Sequence, residues 1–360
     1  MNTTPKSGNK LVTAMNIDAI CDCILDEGST PDALRKALNG FASLCADIGG
    51  VRPDPSFDAW ADDALLASGV AINPQAAAHC VLDYQRSVTY LRGVYAAIGK
   101  LQQRFCDAPL EILYAGCGPY ATLLLPLLVK FSAGELNIHL LDVHQRSLDS
   151  VERLLAQLDF SDHSVHRIQA DACDYQHPRE LHLVIAETMQ KSLEQEPQFA
   201  VTANLAPQLL PGGVFIPQKI DITFGLADLQ YARKMAQQAG RNDMKNLQRR
   251  YHIATVLSLS PETAAHQLQN ASYRPVTETW ELGSTTLVIP HMEGITQLDP
   301  ALFTHIVVFE GYCLDDYESE ITLPMKCHDL APLTGGEHVK VSYQPGNYPR
   351  FNYELLQHAP

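Results

Sequence analysis

The sequence predicts an α/β protein built on a parallel sheet, and three observations carry that prediction. First, between residues 106 and 218 short apolar runs (EILYAG, IHLLD, VHRIQAD, LHLVIAE) alternate with helix-compatible stretches such as SVERLLAQL. Strands interleaved with amphipathic helices pair in parallel through right-handed crossovers. Second, the segment Leu110–Thr122, LEILYAGCGPYAT, closes an apolar run with a Gly-x-Gly turn. Third, the next run, His139–Asp142, ends in an acid 26 residues after Gly116. A glycine turn ahead of a helix start offers unpaired N–H groups to a nucleotide-like ligand, and an acid at the next strand end can hold ribose hydroxyls. The middle of the chain therefore reads as a doubly wound, Rossmann-like sheet with a ligand at its carboxyl edge.

The flanking regions differ in texture. Residues 1–105 read as a helical N-terminal cap behind a tail at 1–15. Pro31-Asp32 opens one helix (PDALRKALNGFASLCADI), Gly49-Gly50 closes it, and the linker VRPDPS follows. No proline interrupts 76–105, where Leu82, Val88, Leu91, Val94, Ile98 and Leu101 recur at helical spacing. Within 106–218, helices are expected after Pro119 and over Thr202–Leu210, and the turn Pro211-Gly212-Gly213 leads into the strand VFIP. Residues 219–360 read as a β-rich C-terminal domain carrying a locally basic helical insertion at 226–254. Its strands are TTLVIP, HIVVFEGYCL, HVKVSY and RFNYEL, the last two joined by the hairpin-like QPGNYP.

Composition narrows the partners. Lys+Arg 26 against Asp+Glu 41 leaves a net charge of −15 on 360 residues. Such a surface repels phosphate backbones and anionic lipid, so neither nucleic acid nor membrane is an expected partner. The N-terminus lacks the apolar core of a secretory signal, and the longest apolar run, Ala121–Val129, is too short to cross a bilayer. A cytoplasmic location follows, with the nine scattered cysteines reduced. Cys21-Asp-Cys23 lacks the spacing of a zinc knuckle, and Cys327-His328 stands alone, so no metal is expected. His139, His144, His166, His177 and His182 cluster only in sequence and read as surface or core residues; His144, next to Asp142, is within reach of a ligand there.

Several motifs carry a family resemblance. Cys80–Tyr90 reads CVLDYQRSVTY, and Asp83, Arg86 and Tyr90 fall at the spacing D-x-x-R-x-x-x-Y. Ala186–Pro197 reads AETMQKSLEQEP, with Glu187, Met189 and Glu196 spaced as E-x-M and a second glutamate nine residues on. With the glycine turn and Asp142, this pattern resembles class I S-adenosylmethionine (SAM) dependent methyltransferases. Residues 79–218 are similar in particular to the protein arginine methyltransferases. The resemblance implies SAM as cofactor and assigns Arg86 to its carboxylate, beside Tyr90 of the same motif. Gly116 and Gly118 would admit the ribose and methionine portion, with Tyr114 and Tyr120 at the methionine end. Asp142 would hold the ribose, and Asp171-Ala172 the adenine. Tyr175 would cover the adenine or the sulfonium, where an aromatic face attracts a cation. Glu187 and Glu196 would orient or deprotonate a cationic acceptor. By the same analogy the 226–254 insertion is a candidate dimer arm, which implies a homodimer.

Blander readings stand beside these. Asp83 and Arg86 could form an ordinary i,i+3 helix pair; Asp171 could cap its strand; Glu194 and Glu196 could be a solvated charge run; Tyr175 could fill core.

Three departures redirect the expectation away from a peptidyl-arginine substrate. Tyr114 stands where those enzymes carry an acid, Pro119-Tyr120 replaces the pair ending in a third glycine, and no Thr-His-Trp triplet follows. The expected reaction is methyl transfer to a small-molecule nucleophile. A Gly-x-Gly-Pro turn is also similar to that of nicotianamine synthases, and azetidine-2-carboxylate synthases share the methyltransferase fold. That resemblance implies an alternative, attack at the γ-carbon of SAM with release of methylthioadenosine. A bulky Tyr120 or Tyr175 beside the sulfonium would suit it. A third reading is a non-catalytic SAM-binding protein.

Overall fold

Five parallel strands form the centre of the molecule: β1 (Leu110–Ala115), β2 (Leu136–Asp142), β3 (Ser164–Gln169), β4 (Leu181–Ala186) and β5 (Leu209–Ile216), in the order 3-2-1-4-5. The structure, a computed structural model, describes residues 17–53, 63–231, 250–275, 279–330 and 332–356. Every residue of β1 is buried, as a central strand covered on both faces must be. The α/β class, the parallel sheet and the β-rich C-terminal region expected from sequence are all present.

The helices that frame the sheet and its carboxyl edge are α1 (Pro31–Gly49), α2 (Pro74–His79), α3 (Tyr84–Arg104), α4 (Gln145–Gln157) and α5 (Gln198–Leu205). Thr30 caps α1 by accepting from the Ala33 N–H, and Gly50, at φ 71°, ends it. The proline-free stretch from residue 76 is not one helix. A 3-10 turn at Cys80–Leu82 separates α2 from α3, and Asp83 starts α3 by accepting the Arg86 N–H. The same carboxylate accepts from Ser319 Oγ at 2.7 Å and the Glu320 N–H at 2.6 Å. Asp83 is thus committed to capping rather than to an i,i+3 helix pair with Arg86, the blander reading of this motif.

Two other expectations shift. The segment after Pro119 forms turns and a 3-10 helix, Leu125–Lys130, because Pro119 and Pro126 each remove a backbone donor. The helix expected at Thr202–Leu210 spans Gln198–Leu205, and Pro211–Gly213 lie inside β5. A register shift against β4 at this point accommodates a proline that cannot donate to the ladder.

The C-terminal region contains two antiparallel sheets. One is built on β6 (Lys219–Ala227), β7 (Arg250–Leu259) and β9 (Asp299–Phe309); the other on β8 (Thr279–Val288), β10 (His338–Gln344) and β11 (Arg350–Leu356). The hairpin at QPGNYP pairs Gln344 with Arg350. Both ends of the expected helical insertion at 226–254 are strand instead, with Ala227 paired to Arg250. The centre of the expected dimer arm, 232–249, lies outside the described residues. Among the described residues no helix is long and apolar enough to cross a membrane.

Candidate functional site

A cavity of about 530 Å³ opens at the carboxyl ends of β1, β2, β3 and β4. This is where open parallel sheets place their ligands, because strand ends and the loops after them converge there. Above it lie α2 and the preceding hairpin (Ala64–Leu66 with Gly69–Ala71), and Ile321 and Leu323 of the C-terminal region complete the wall.

The glycine turn follows β1 directly. Gly116 and Gly118 both adopt left-handed backbone, at φ 66° and 63°. A Cβ on Gly116 would stand 2.5 Å from the Thr188 methyl, so this position excludes a side chain twice over. Asp142 ends β2 and turns back over the glycines. Its Oδ2 accepts the Gly118 N–H at 2.9 Å and its Oδ1 accepts the His144 N–H at 2.8 Å. Burial raises its pKa, although both backbone donors favour the ionised form. After β3, Asp171 Oδ1 accepts the Cys173 N–H at 2.8 Å, so the capping reading is realised while Asp171 and Ala172 also line the cavity.

Three acids and a cation meet on the far wall. Glu187, the first residue after β4, forms a buried ion pair with Arg86 through Oε2 and Nη2. Its other oxygen, Oε1, is buried with no hydrogen-bond partner. Glu196 is only 7% exposed, so it is not a solvated charge. Burial lifts its pKa to about 7; Arg86 opposes the shift and the carboxylate of Asp63 adds to it. Asp63 holds the Asn73 backbone and side-chain amides at 2.7 and 3.0 Å through Oδ1, and its Oδ2 is buried without a partner. Two acceptors thus stand unpaired at a cavity wall, where each would ordinarily cost free energy. Such a pair suits a bound cation or hydrogen-bond donor.

The loop carrying Glu196 is strained. Ser192, Leu193 and Gln195 all have left-handed backbone, at φ 56°, 59° and 65°. Non-glycine residues in this region cost roughly 1–3 kcal/mol each and persist only where their surroundings impose them. Here the C-terminal sheets impose them. Thr304 Oγ1 accepts the Ser192 N–H at 3.2 Å, Tyr343 donates to the Leu193 carbonyl at 2.7 Å, and the Pro349 carbonyl accepts the Gln195 N–H at 2.8 Å. On its other side Gln195 accepts the Val70 N–H of the hairpin at 2.8 Å.

Of the residues singled out from sequence, Arg86, Tyr114, Gly116, Gly118, Asp142, Asp171, Ala172, Glu187 and Glu196 line this cavity. Three tyrosines do not. Tyr90 is fully buried one helical turn beyond Arg86. Tyr120 points into the N-terminal cap, its hydroxyl donating to the Val51 carbonyl and its ring edge-on to Phe41. The irregular turn after Pro119 aims it there. Tyr175 belongs to a polar network around Glu111, with its hydroxyl 3.0 Å from His177 Nδ1. Sequence reasoning missed Asp63, and also Ile321 and Leu323, which no motif near the glycine turn announces. His144 does line the cavity.

No protein-family model matches this chain, and no curated protein matches it. Among solved structures it is similar to the PRMT1 enzyme-prozyme heterotetrameric complex of Trypanosoma brucei with AdoHcy. That match has 14% sequence identity and a TM-score of 0.48, and covers 78% of this chain and 93% of the other. The likeness is too slight to bear on function.

Proposed function

We propose that this chain binds SAM in the cavity and transfers its methyl group to a small nucleophile carrying an amine or guanidine. One observation carries the reading. The Asp142 carboxylate at the end of β2 is folded over two left-handed glycines at the end of β1, and all three face the same cavity. That arrangement supplies acceptors for ribose hydroxyls and clearance for the chain bound beside them.

When bound, SAM supplies an activated methyl on a sulfonium. The protein supplies position and charge. Arg86 offers a fork of donors to a carboxylate, which would share the guanidinium with Glu187. Glu187 Oε1, lacking a partner in the cavity wall, is an acceptor for a cationic N–H. Glu196, poised near pH 7, can accept a proton from the attacking nitrogen. The hairpin, α2 and the C-terminal wall exclude water, and proximity does the remaining work. Attack at the γ-carbon, the second reading, keeps the Gly-x-Gly-Pro turn in its favour but not Tyr120 or Tyr175, which do not line the cavity.

Titration calorimetry of SAM and AdoHcy against the full chain tests the cofactor. Asp142→Ala is expected to weaken binding by tenfold or more, since hydrogen bonds to a charged group contribute about 1.5–3 kcal/mol. Unchanged affinity would sink the assignment. Mass spectrometry after incubation with SAM and a panel of amines and guanidines then reads the reaction. A methylated acceptor with AdoHcy supports methyl transfer, methylthioadenosine points to the γ-carbon, and SAM left intact by every acceptor favours a binding protein.

A further inference from the structure

At the opposite end of the sheet the structure gathers a second set of chemical groups, from residues far apart in sequence. Glu111 lies on β1, His139 on β2, and His177 in the connection 170–180 between β3 and β4. Glu111 Oε1 is 2.5 Å from His139 Nε2 and 3.1 Å from His177 Nε2. All three atoms lie within 4.8 Å of one another. The side chains are 8%, 8% and 1% exposed for Glu111, His139 and His177. We infer that Glu111, His139 and His177 form a binding site for one divalent transition-metal ion of the zinc type.

The chemistry of the donors supports this. Two imidazole nitrogens and one carboxylate oxygen form a borderline donor set that zinc accepts, with a fourth position left for water. Ligands at about 2.0–2.1 Å from a tetrahedral ion stand about 3.3 Å apart. The His177–Glu111 gap already approaches that, and the His139–Glu111 gap must open by less than about 1 Å.

The surrounding contacts orient these donors as metal sites require. The Tyr175 hydroxyl, beside His177 Nδ1, can accept its proton and so turn Nε2 inward. Asn137 Nδ2 donates to Glu111 Oε2 at 2.9 Å, leaving Oε1 for the ion. His166 stacks on His139 with ring centroids 4.9 Å apart, but its Nε2 is engaged with Asn137 Oδ1 at 3.2 Å, so it is a supporting group. Arg179, 60% exposed, bonds Glu111 Oε1 at 2.7 Å and would have to swing away into solvent.

Local architecture explains why such a site would sit here. The connection between β3 and β4 contains no helix. The sheet face beneath carries Glu111, Asn137, His139, Ser164 and His166 in register across three strands, rather than apolar groups for a helix to cover. A metal would clip β1, β2 and this connection together where hydrophobic packing is missing. Coordination through Nε2 would keep each neutral imidazole's proton on Nδ1, where the Tyr175 hydroxyl can accept that of His177.

The test uses the full chain, free of any purification tag and treated with chelator, titrated with zinc chloride against a competing chromophoric chelator. One tight zinc per chain is expected, and cobalt(II) should give the visible absorption of a four-coordinate site. His177→Gln, which keeps a side chain able to bond Glu111, should abolish tight binding, and Tyr175→Phe should weaken it about tenfold. Arg179→Ala should tighten binding, because it removes a cation competing for Oε1; a purely structural hydrogen-bond network has no reason to respond so. Wild-type zinc affinity in His177→Gln, or weaker binding in Arg179→Ala, would overturn the inference. Since Arg179 is largely exposed, that variant decides the matter even if His177→Gln does not fold.

Discussion

The two ends of the central sheet handle buried carboxylates in opposite ways. At the amino end Glu111 is saturated, taking bonds from Asn137, His139, His177 and Arg179. Burial pushes its pKa up, but the bonds from Asn137, His177 and His139 outweigh it, and the net shift is downward. At the carboxyl end Glu196 is buried where Arg86 and a hydrogen bond from Gln190 do not outweigh the burial, and its pKa is pushed up to about 7. Glu187 and Asp63 each keep an oxygen with no partner. The same side-chain chemistry is satisfied at one end and left waiting at the other. A polar cluster alone therefore does not mark a reaction site; unpaired acceptors beside open volume do. The ends also differ in support, since the amino-end network lies within the sheet and one loop, whereas the loop of Glu196 is held from the C-terminal region.

The largest effect expected at the carboxyl end comes from Arg86→Ala. It strands the buried Glu187 carboxylate, and removing one partner of a buried pair typically costs 3–5 kcal/mol. Thermal unfolding should show that loss, and the double variant with Glu187→Gln should recover most of it. No recovery would mean that the pair is not what stabilises this wall. Next is Tyr343→Phe, which leaves the buried Leu193 carbonyl without its donor. A cost of about 1–3 kcal/mol is expected for the unpaired group. Turnover should fall while AdoHcy affinity holds, because the glycine turn and Asp142 are untouched; equal losses in both would erase the distinction in support between the two ends.

The smallest effect on stability belongs to Glu196→Gln, and it shows in pH dependence. The fold favours the neutral acid, so its contribution is complete below the unfolded value near 4.3 and is lost as pH rises through about 7. Replacing it should flatten that part of the stability curve. In kinetics the wild type should gain activity through about pH 7 as the carboxylate forms. A Glu196→Gln protein that keeps this limb would show that another group titrates there.

The sheet and the carboxyl-end site were legible because their signals are local. Strand periodicity, the Gly116–Gly118 turn and an acid at each strand end occupy consecutive residues, and parallel topology brings strand ends together without further information. What failed was direction. Tyr120 and Tyr175 stand beside cavity residues in sequence, yet a turn after Pro119 and a helix-free connection at 170–180 carry them elsewhere. The convergence of Glu111, His139 and His177 depends on strand register, which pairs Leu113 with His139 and His139 with His166. Nothing in the spacing of those histidines encodes that register, so they read as unrelated. Asp83 was legible as a helix residue but not as a link to Ser319 and Glu320, more than 230 positions away.

The left-handed run at Ser192, Leu193 and Gln195 also has a consequence in time. Synthesis proceeds from the N-terminus, and the side chains from Asp63 to Glu196 emerge well before the strands that hold this loop. Thr304, Tyr343 and Pro349 arrive later, each more than 100 residues after the loop residue that it holds. Until they pair, the loop has no reason to stay bent, and Glu196 has no fixed place. A nascent chain can thus complete its sheet and still lack a finished site, so that chemical competence waits for strands translated more than 100 residues after the loop they hold.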